Sequence, residues 1–277
     1  MPEIFGYDQV GYRDLSDRKR TFVTTSWDDF ADDQAGLLDL LENYGLRGTF
    51  YVVSQWVENP NSEIDNVGVG ILREIESKGH EVASHSQNHR RLCDLQETEA
   101  KTEIEKSKVD LEKIMGHRIL GIAYPYGMYD SKTVTLAGSA GYLYARTTQE
   151  GRLDMCNQNP HELGVTIILP RAKQARRFWL YGSRGQYLFL QLRENFRWER
   201  IARKLFVKAL NSQGYWHLVG HFRDILEDKT LRSSLESLLS FIADLGEGQM
   251  RPVTNAELFT PHNTRFQSTM ETKTMQN

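Results

Sequence analysis

From Thr21 to Phe259, short β-branched or aromatic runs alternate with longer segments of helical periodicity. Strands that alternate with helices in this way are typical of βα units around a parallel sheet. The sequence predicts eight strands, at residues 21–27, 48–53, 80–84, 119–124, 141–146, 165–169, 215–219 and 251–254. An α/β fold with one irregular (β/α) barrel is the simplest architecture for this pattern.

Two of the intervening segments have a clear helical pattern. In 98–115, apolar residues such as Ile104 and Leu111 recur at helical spacing, and Gly116 follows as a stop signal. In 198–210, an apolar stripe lies opposite a row of Lys and Arg. That stripe is compatible either with packing against the barrel or with a subunit interface, so a homo-oligomer stays open.

The pattern predicts one domain rather than two. Residues 1–20 form an N-terminal extension, residues 21–260 the barrel, and about 151–197 an elaboration of it. Residues 261–277 are polar without apolar periodicity, so we expect a disordered tail. The chain begins without a basic, apolar leader and contains no apolar run long enough to span a membrane, so we expect a cytoplasmic protein.

Composition excludes several classes of protein. Hydrophobic residues make up 39% of the 277 residues and charged residues 26%, as in an ordinary globular chain. The formal net charge of −3 gives no field directed at nucleic acid. Cys93 and Cys156 are the two cysteines, which excludes a disulfide framework and a cysteine-rich zinc site. Any metal site must therefore use His and carboxylates.

The first candidate for chemistry is the adjacent pair Asp28 and Asp29, at the end of the run TFVTTSW. A barrel strand delivers such residues to the catalytic rim. Two adjacent carboxylates repel, unless one binds a metal and the other acts as a base. The alternative is a solvated turn or a helix cap, because Asp32 and Asp33 also precede the next helical segment.

The second candidate is the pair His85 and His89 in EVASHSQNH. On a helical turn, this spacing points both imidazoles to one side, where they could bind a single Zn²⁺. Two surface histidines are the alternative. A second pair, His217 and His221 in WHLVGH, has the same spacing and would share one face of a strand.

The third candidate is AYPYG at residues 123–127, again at a strand end. Pro125 and Gly127 by themselves mark only a turn. The functional interpretation is a stiff corner that presents backbone N–H groups to a substrate, with the Tyr126 N–H as an oxyanion donor.

Taken in order, SWDD at 26–29, HSQNH at 85–89, AYPYG at 123–127 and HLVGH at 217–221 resemble the successive motifs of the polysaccharide deacetylase family. This family is also called the NodB-homology domain or carbohydrate esterase family 4. The similarity extends over roughly residues 21–254. It includes LLENYGLRGTFYV after the first motif and GYLYART after the third.

This resemblance implies a deformed (β/α) barrel that hydrolyses N-acetyl or O-acetyl groups on sugars with the help of a divalent metal, usually Zn²⁺. By motif position, Asp28 would be the general base and His221 the general acid. Asp29, His85 and His89 would hold the metal.

Two positions depart from the family pattern, and the last motif leaves open which of its two histidines is the acid. Phe30 replaces a usual Gly, which would narrow or reshape the rim. Ala123 replaces the Arg that usually orients the base aspartate. Arg146 or Arg171 could orient Asp28 instead. We favour Arg146, because it closely follows the core of a predicted strand. His217 is expected to be a buried, hydrogen-bonded partner rather than the acid.

The substrate hypothesis rests on charge distribution. Residues 152–208 contain 12 Lys or Arg and four acidic residues, a net charge of +8, so the rest of the chain carries −11. Basic and aromatic residues in RAKQARRFW could bind an anionic sugar conjugate, such as a nucleotide- or lipid-diphosphate-linked sugar. A solvated helix face with ordinary core aromatics is the alternative. Two other functions stay open: another C–N amidohydrolase, such as a deformylase or cyclic-amide hydrolase, and a non-catalytic sugar-binding relative.

Overall fold

A computed structural model describes residues 20–31, 36–58, 67–155, 159–170 and 197–260. Its strands are β1 (Thr21–Trp27), β2 (Gly48–Val52), β3 (Glu81–Ser84), β4 (Gly121–Ala123), β5 (Tyr144–Arg146), β6 (Ile167–Ile168), β7 (Tyr215–Gly220) and β8 (Met250–Pro252). Its helices are α1 (Gly36–Asn43), α2 (Val69–Ser77), α3 (Glu97–Met115), α4 (Ser131–Ser139), α5 (Trp198–Ser212), α6 (Phe222–Glu227) and α7 (Lys229–Gly246).

The eight strands form one parallel sheet in the order β5-β4-β3-β2-β1-β7-β6, with β8 paired to β1. Strand β1 lies at the centre and pairs with three others. It runs beside β7 over its whole length, while β8 and β2 pair with its first and last residues. A bridge between Arg146 and Leu163 links β5 to the segment that leads into β6. The sheet thus curls into a barrel-like form with helices around it, which confirms the predicted α/β barrel class.

All seven residues of β1 are buried, although three of them are threonines. Burial on both faces is typical of a central strand of a parallel sheet. The threonine hydroxyls find acceptors: Thr21 donates to the Ala209 carbonyl, Thr24 to the Asn255 side chain and Thr25 to the Arg47 carbonyl. A hydrogen bond offsets most of the desolvation cost of a buried hydroxyl, so this threonine-rich strand can lie at the centre of the sheet.

The two helices predicted most clearly are present. Helix α3 ends where Gly116, with φ 79°, donates its N–H to the Glu112 carbonyl, a left-handed C-cap that glycine adopts without strain. The apolar stripe of α5 is buried within this chain, where the Phe206 ring meets the edge of Trp216 with 5.8 Å between centroids. Packing against the barrel therefore accounts for the stripe.

Several predictions fall outside the described residues, namely the N-terminal extension before residue 20, the greater part of the 151–197 elaboration and the 261–277 tail. Among the helices that the structure describes, none combines the length and apolar character that crossing a membrane requires.

Candidate metal centre and active site

Most of the predicted site residues lie at the carboxyl ends of strands β1, β3, β5 and β7 of the same parallel sheet. Asp28 and Asp29 follow β1, His85 follows β3, and Arg146 ends β5. His221 follows β7 and precedes α6. Since parallel strands end at the same rim of the barrel, residues distant in sequence meet there.

Asp29 lies between three imidazoles. Its Oδ1 is 3.2 Å from His89 Nε2 and 3.6 Å from His85 Nε2, and its Oδ2 is 3.4 Å from His221 Nε2. Burial alone would raise the pKa of Asp29, but the hydrogen bond from His221 and the nearby imidazoles lower it below its ordinary value. The Asp29 carboxyl is therefore ionised and available as a metal ligand.

The loop that carries the two histidines is irregular, so the expected helical turn is wrong. Ser86 and His89 adopt left-handed backbone angles, with φ of 65° and 55°, and these turns bring the imidazoles together. The His85 and His89 ring centroids are 4.8 Å apart.

The His85 ring is oriented by its other nitrogen. Nδ1 lies 2.9 Å from the Ala123 carbonyl oxygen, an acceptor only, so Nδ1 carries the proton and Nε2 keeps its lone pair. Burial lowers the pKa of His85 to about 4, because the charged form loses solvation. A neutral imidazole whose Nε2 faces Asp29 is in the state that binds a metal.

These three side chains fit a divalent cation. One ligand atom from each of Asp29, His85 and His89 lies within 4.8 Å of the others. Atoms bound about 2.1 Å from a tetrahedral zinc would be about 3.4 Å apart. The observed separations of 3.2 and 3.6 Å between Asp29 and the imidazoles match that spacing. Two imidazoles with one carboxylate form a donor set used by catalytic zinc.

Asp28 is buried and forms an ion pair with Arg146, whose side chain has no exposed surface. Burial alone would raise the pKa of Asp28, but the Arg146 guanidinium, with smaller contributions from His85 and His221, holds it below its usual value. Arg146 and Ala123 are partners across the β4–β5 ladder. The arginine that faces Asp28 thus comes from the strand next to the one that carries it in the family pattern.

A polar network in the barrel interior surrounds Arg146, and the sequence prediction missed it. The guanidinium lies 4.9 Å from the centre of the Tyr51 ring, a cation–π contact. The Tyr51 hydroxyl donates to Tyr144 over 3.2 Å and accepts from Asn255 over 2.9 Å. Tyr144 in turn donates to Glu81 over 2.9 Å, and burial raises the pKa of Glu81 to about 7.

His217 belongs to this interior rather than to the rim. Its Nε2 lies 2.6 Å from Ser26 Oγ, and its Nδ1 contacts the Tyr215 hydroxyl. Burial holds the pKa of His217 well below its ordinary value, so this imidazole is neutral. His221 lies beyond the end of β7, and the expectation that both histidines share one strand is therefore wrong.

The AYPYG segment forms a tight turn beside the histidines. Pro125 is buried and opens a short 3₁₀ turn, Pro125–Gly127. Tyr126 has φ of 60° and is 52% exposed, and its ring centroid lies 4.6 Å from that of His89. Phe30 does not shape the rim as expected, because its ring is fully buried against Phe50 at a centroid distance of 5.0 Å.

A cavity of about 150 Å³ opens at this rim. It is lined by Asp28, Asp29, His221, Arg223, Asp224 and Glu227. The last three residues belong to α6. Arg171, the alternative partner for Asp28, lies outside the described residues.

Residues 16–145 match the family model described as polysaccharide deacetylase, a span that contains β1 to β4 and most of the site. This match confirms the resemblance to the polysaccharide deacetylase family. Among curated relatives, the putative polysaccharide deacetylase YxkH of Bacillus subtilis is 22% identical over 139 residues. That alignment covers 50% of this chain and 48% of the relative, so the chain spans about half of that protein's length.

Solved deacetylase-family structures share the fold. A structure entitled T48 deacetylase with substrate has a TM-score of 0.54 at 15% identity, covering 89% of this chain and 94% of its own. A pseudoenzyme of carbohydrate esterase family 4 from Bacillus anthracis has a TM-score of 0.53 at 14% identity, covering 88% of this chain and 66% of its own. The same fold is found in a deacetylase and in a pseudoenzyme, so the fold alone does not determine activity.

Proposed function

We propose that this chain is a metal-dependent deacetylase that hydrolyses N-acetyl or O-acetyl groups on a sugar or polysaccharide. The observation that carries the proposal is that two sets of polar residues lie side by side at one rim of the barrel. Asp29, His85 and His89 form a donor set for a cation, and the buried Asp28–Arg146 pair lies beside them. The family match supports acetylated carbohydrate as the substrate class.

We assign Asp29, His85 and His89 as the ligands of a divalent cation, and Zn²⁺ as the ion that best suits two imidazoles and one carboxylate. When bound, such a cation would polarise the acyl carbonyl and make water a stronger nucleophile. The Ala123 carbonyl supports the assignment, because it fixes the tautomer that leaves His85 Nε2 free of a proton.

Asp28 is assigned as the general base. Arg146 contacts Oδ1 and keeps the carboxylate ionised, so Asp28 can accept the proton of the attacking water at neutral pH. His221 is assigned as the general acid that protonates the leaving nitrogen or oxygen of the sugar. The Tyr126 N–H is assigned as a donor to the oxyanion that forms as the acyl carbon becomes tetrahedral.

We further propose an anionic sugar conjugate, such as a nucleotide- or lipid-diphosphate-linked sugar. The support for this proposal is the net charge of +8 in residues 152–208. The described wall of the cavity on α6 includes Asp224 and Glu227, so we expect a diphosphate to lie on the side away from α6. A neutral chito-oligosaccharide that reacts as fast as a diphosphate-linked N-acetyl sugar would contradict this part.

The test is acyl release from a panel of N-acyl sugars by protein loaded with Zn²⁺, with chelated protein as the control. Acetate release that disappears on chelation is the expected result. Formate release, or opening of a cyclic amide, would instead indicate another C–N amidohydrolase. Sugar binding without release of any acyl group would indicate a non-catalytic relative.

Metal content provides a second arm of the test. His85→Ala and His89→Ala should each abolish stoichiometric Zn²⁺ binding, because each removes one of three ligands. A wild-type protein that binds no metal and ignores chelators would contradict the proposal.

A further inference from the structure

The loop between the two histidine ligands, residues 85–89, has a conformation that the chain does not adopt readily. Ser86 and His89 both lie in the left-handed region, with φ of 65° and 55°. A non-glycine residue is strained in this region, because its Cβ comes too close to the following carbonyl oxygen. A strained backbone of this kind persists only where surrounding contacts fix it.

Glu103 on α3 provides several of those contacts. Its Oε2 accepts the Asn88 backbone N–H over 2.8 Å, and its Oε1 accepts the Asn88 side-chain amide over 2.9 Å. Its backbone carbonyl accepts the Gln87 N–H over 3.1 Å. One residue thus holds the two positions that immediately precede His89.

The location of Glu103 calls for a specific explanation. It lies on the buried face of α3, beside Ala100 and Ile104, and is 4% exposed. Burying a carboxylate is costly unless hydrogen bonds compensate, and an apolar residue would pack there at lower cost. Within the part of the chain that the structure describes, no Lys, Arg or His forms an ion pair with it. The two Asn88 bonds are the compensation that the structure provides.

We infer that Glu103 is a positioning residue for the metal site, which holds Asn88 and thereby fixes the left-handed turn that points His89 at Asp29. The inference rests on the proposed metal site. His89 Nε2 is 3.2 Å from Asp29 Oδ1, and a loop free to relax would leave this ligand less well placed before the cation binds. Outer-shell contacts of metal ligands typically change metal affinity by about 10–100-fold when removed.

Glu103→Gln is the sharpest test, because it keeps the size of the side chain but gives it an amide that donates where Asn88 also donates. Asn88→Ala is the second variant, which removes the side-chain bond and leaves the buried helix unchanged. Lys108→Met is the matched control. Lys108 lies on the same helix and is buried, but it contacts the Ile119 carbonyl and Glu112 rather than the loop.

The measurement is the Kd for Zn²⁺, determined by titration calorimetry of the apo-proteins, together with their Tm. We expect Glu103→Gln and Asn88→Ala to bind Zn²⁺ at least about tenfold more weakly, with Lys108→Met within about twofold of wild type. If Glu103→Gln does not fold, Asn88→Ala decides.

Three outcomes would overturn the inference. The first is wild-type affinity in folded Glu103→Gln and Asn88→Ala proteins. The second is an equal loss of affinity in Lys108→Met, which would show that general destabilisation of α3 is the cause. The third is a wild-type protein that binds no Zn²⁺, which is distinguishable because it contradicts the metal site itself.

Discussion

The pairing of Arg146 with Asp28 makes a quantitative prediction. Both side chains are nearly inaccessible to solvent, at 0% and 7% exposed, so Arg146→Ala would strand a buried carboxylate. Removing one partner of a buried ion pair costs about 3–5 kcal/mol. Protonating a carboxyl of ordinary pKa 3.8 at pH 7 costs about 4 kcal/mol, a comparable amount. In this variant we therefore expect Asp28 to be protonated at pH 7, which avoids a buried unpaired charge. A protonated Asp28 does not serve as a base.

The assay is the pH profile of kcat/KM for acyl release, with urea unfolding as the measure of stability. Loss of the Arg146 cation raises the pKa of Asp28, so the acidic limb should move to higher pH, and turnover at pH 7 should fall at least about 100-fold. Arg47→Ala is the control, because Arg47 is a half-exposed arginine paired with Glu257 at the surface.

A double variant distinguishes charge from packing. Since Ala123 is the ladder partner of Arg146, Ala123→Arg combined with Arg146→Ala returns an arginine to the position usual in the family. We expect the double variant to be at least about tenfold more active than Arg146→Ala alone. Unchanged turnover and an unmoved acidic limb in Arg146→Ala would show that Arg146 does not hold Asp28 in its ionised form. Loss of activity in Arg171→Ala would then assign that role to Arg171.

Three further predictions concern neighbouring residues. Glu81 has a pKa of about 7 in the folded chain, against an ordinary value of 4.5. The free energy of unfolding should therefore fall by on the order of 3 kcal/mol as pH rises from 5 to 8. Glu81→Gln should flatten this slope in urea unfolding, and equal slopes in the two proteins would contradict the prediction. His221→Ala should lower kcat/KM for acyl release at least about 100-fold and more than His217→Gln does, and the reverse order would reassign the acid. Gly127→Ala should lower the free energy of unfolding by more than about 2 kcal/mol. The added Cβ would lie 2.0 Å from Thr148 Oγ1, on a residue whose φ is 68°. An unchanged Tm would show that the turn adapts.

The barrel was predictable because its strands are short β-branched runs with helical segments between them. The run TFVTTSW defines β1 at its observed bounds, since it is buried on both faces and pairs along its whole length. The segments 119–124 and 141–146 are apolar throughout most of their length, yet β4 and β5 have three residues each. Apolarity marks burial, whereas a strand ends where the neighbouring strand stops pairing, and a single sequence does not contain that register.

The site was predictable to the extent that its residues follow strands. The ordered motifs place Asp28, Asp29, His85 and His221 at the ends of β1, β3 and β7, and parallel topology brings those ends together. The left-handed turn at His89 carried no signal, because glycine is the residue that usually marks such a position and the motif has none.

Residues that act through other side chains were missed for a related reason. In the sequence, Glu103 is one polar residue in a predicted helix, and Tyr51 is one aromatic residue in a predicted apolar strand. Neither position shows its partner in the sequence: Asn88 lies 15 residues from Glu103, and Asn255 lies 204 residues from Tyr51. Only the three-dimensional arrangement shows that these contacts hold His89 and Arg146.

The proposed role of Asp28 as the base of a metal-dependent deacetylase is tested by measuring acetate release from an N-acetyl sugar with wild-type and Asp28→Asn proteins of equal Zn²⁺ content. We expect metal-dependent acetate release by the wild type and a rate at least about 100-fold lower in Asp28→Asn, whose three metal ligands are intact. Equal rates in the two proteins, or no acyl release from Zn²⁺-loaded wild type on any sugar of the panel, would contradict it.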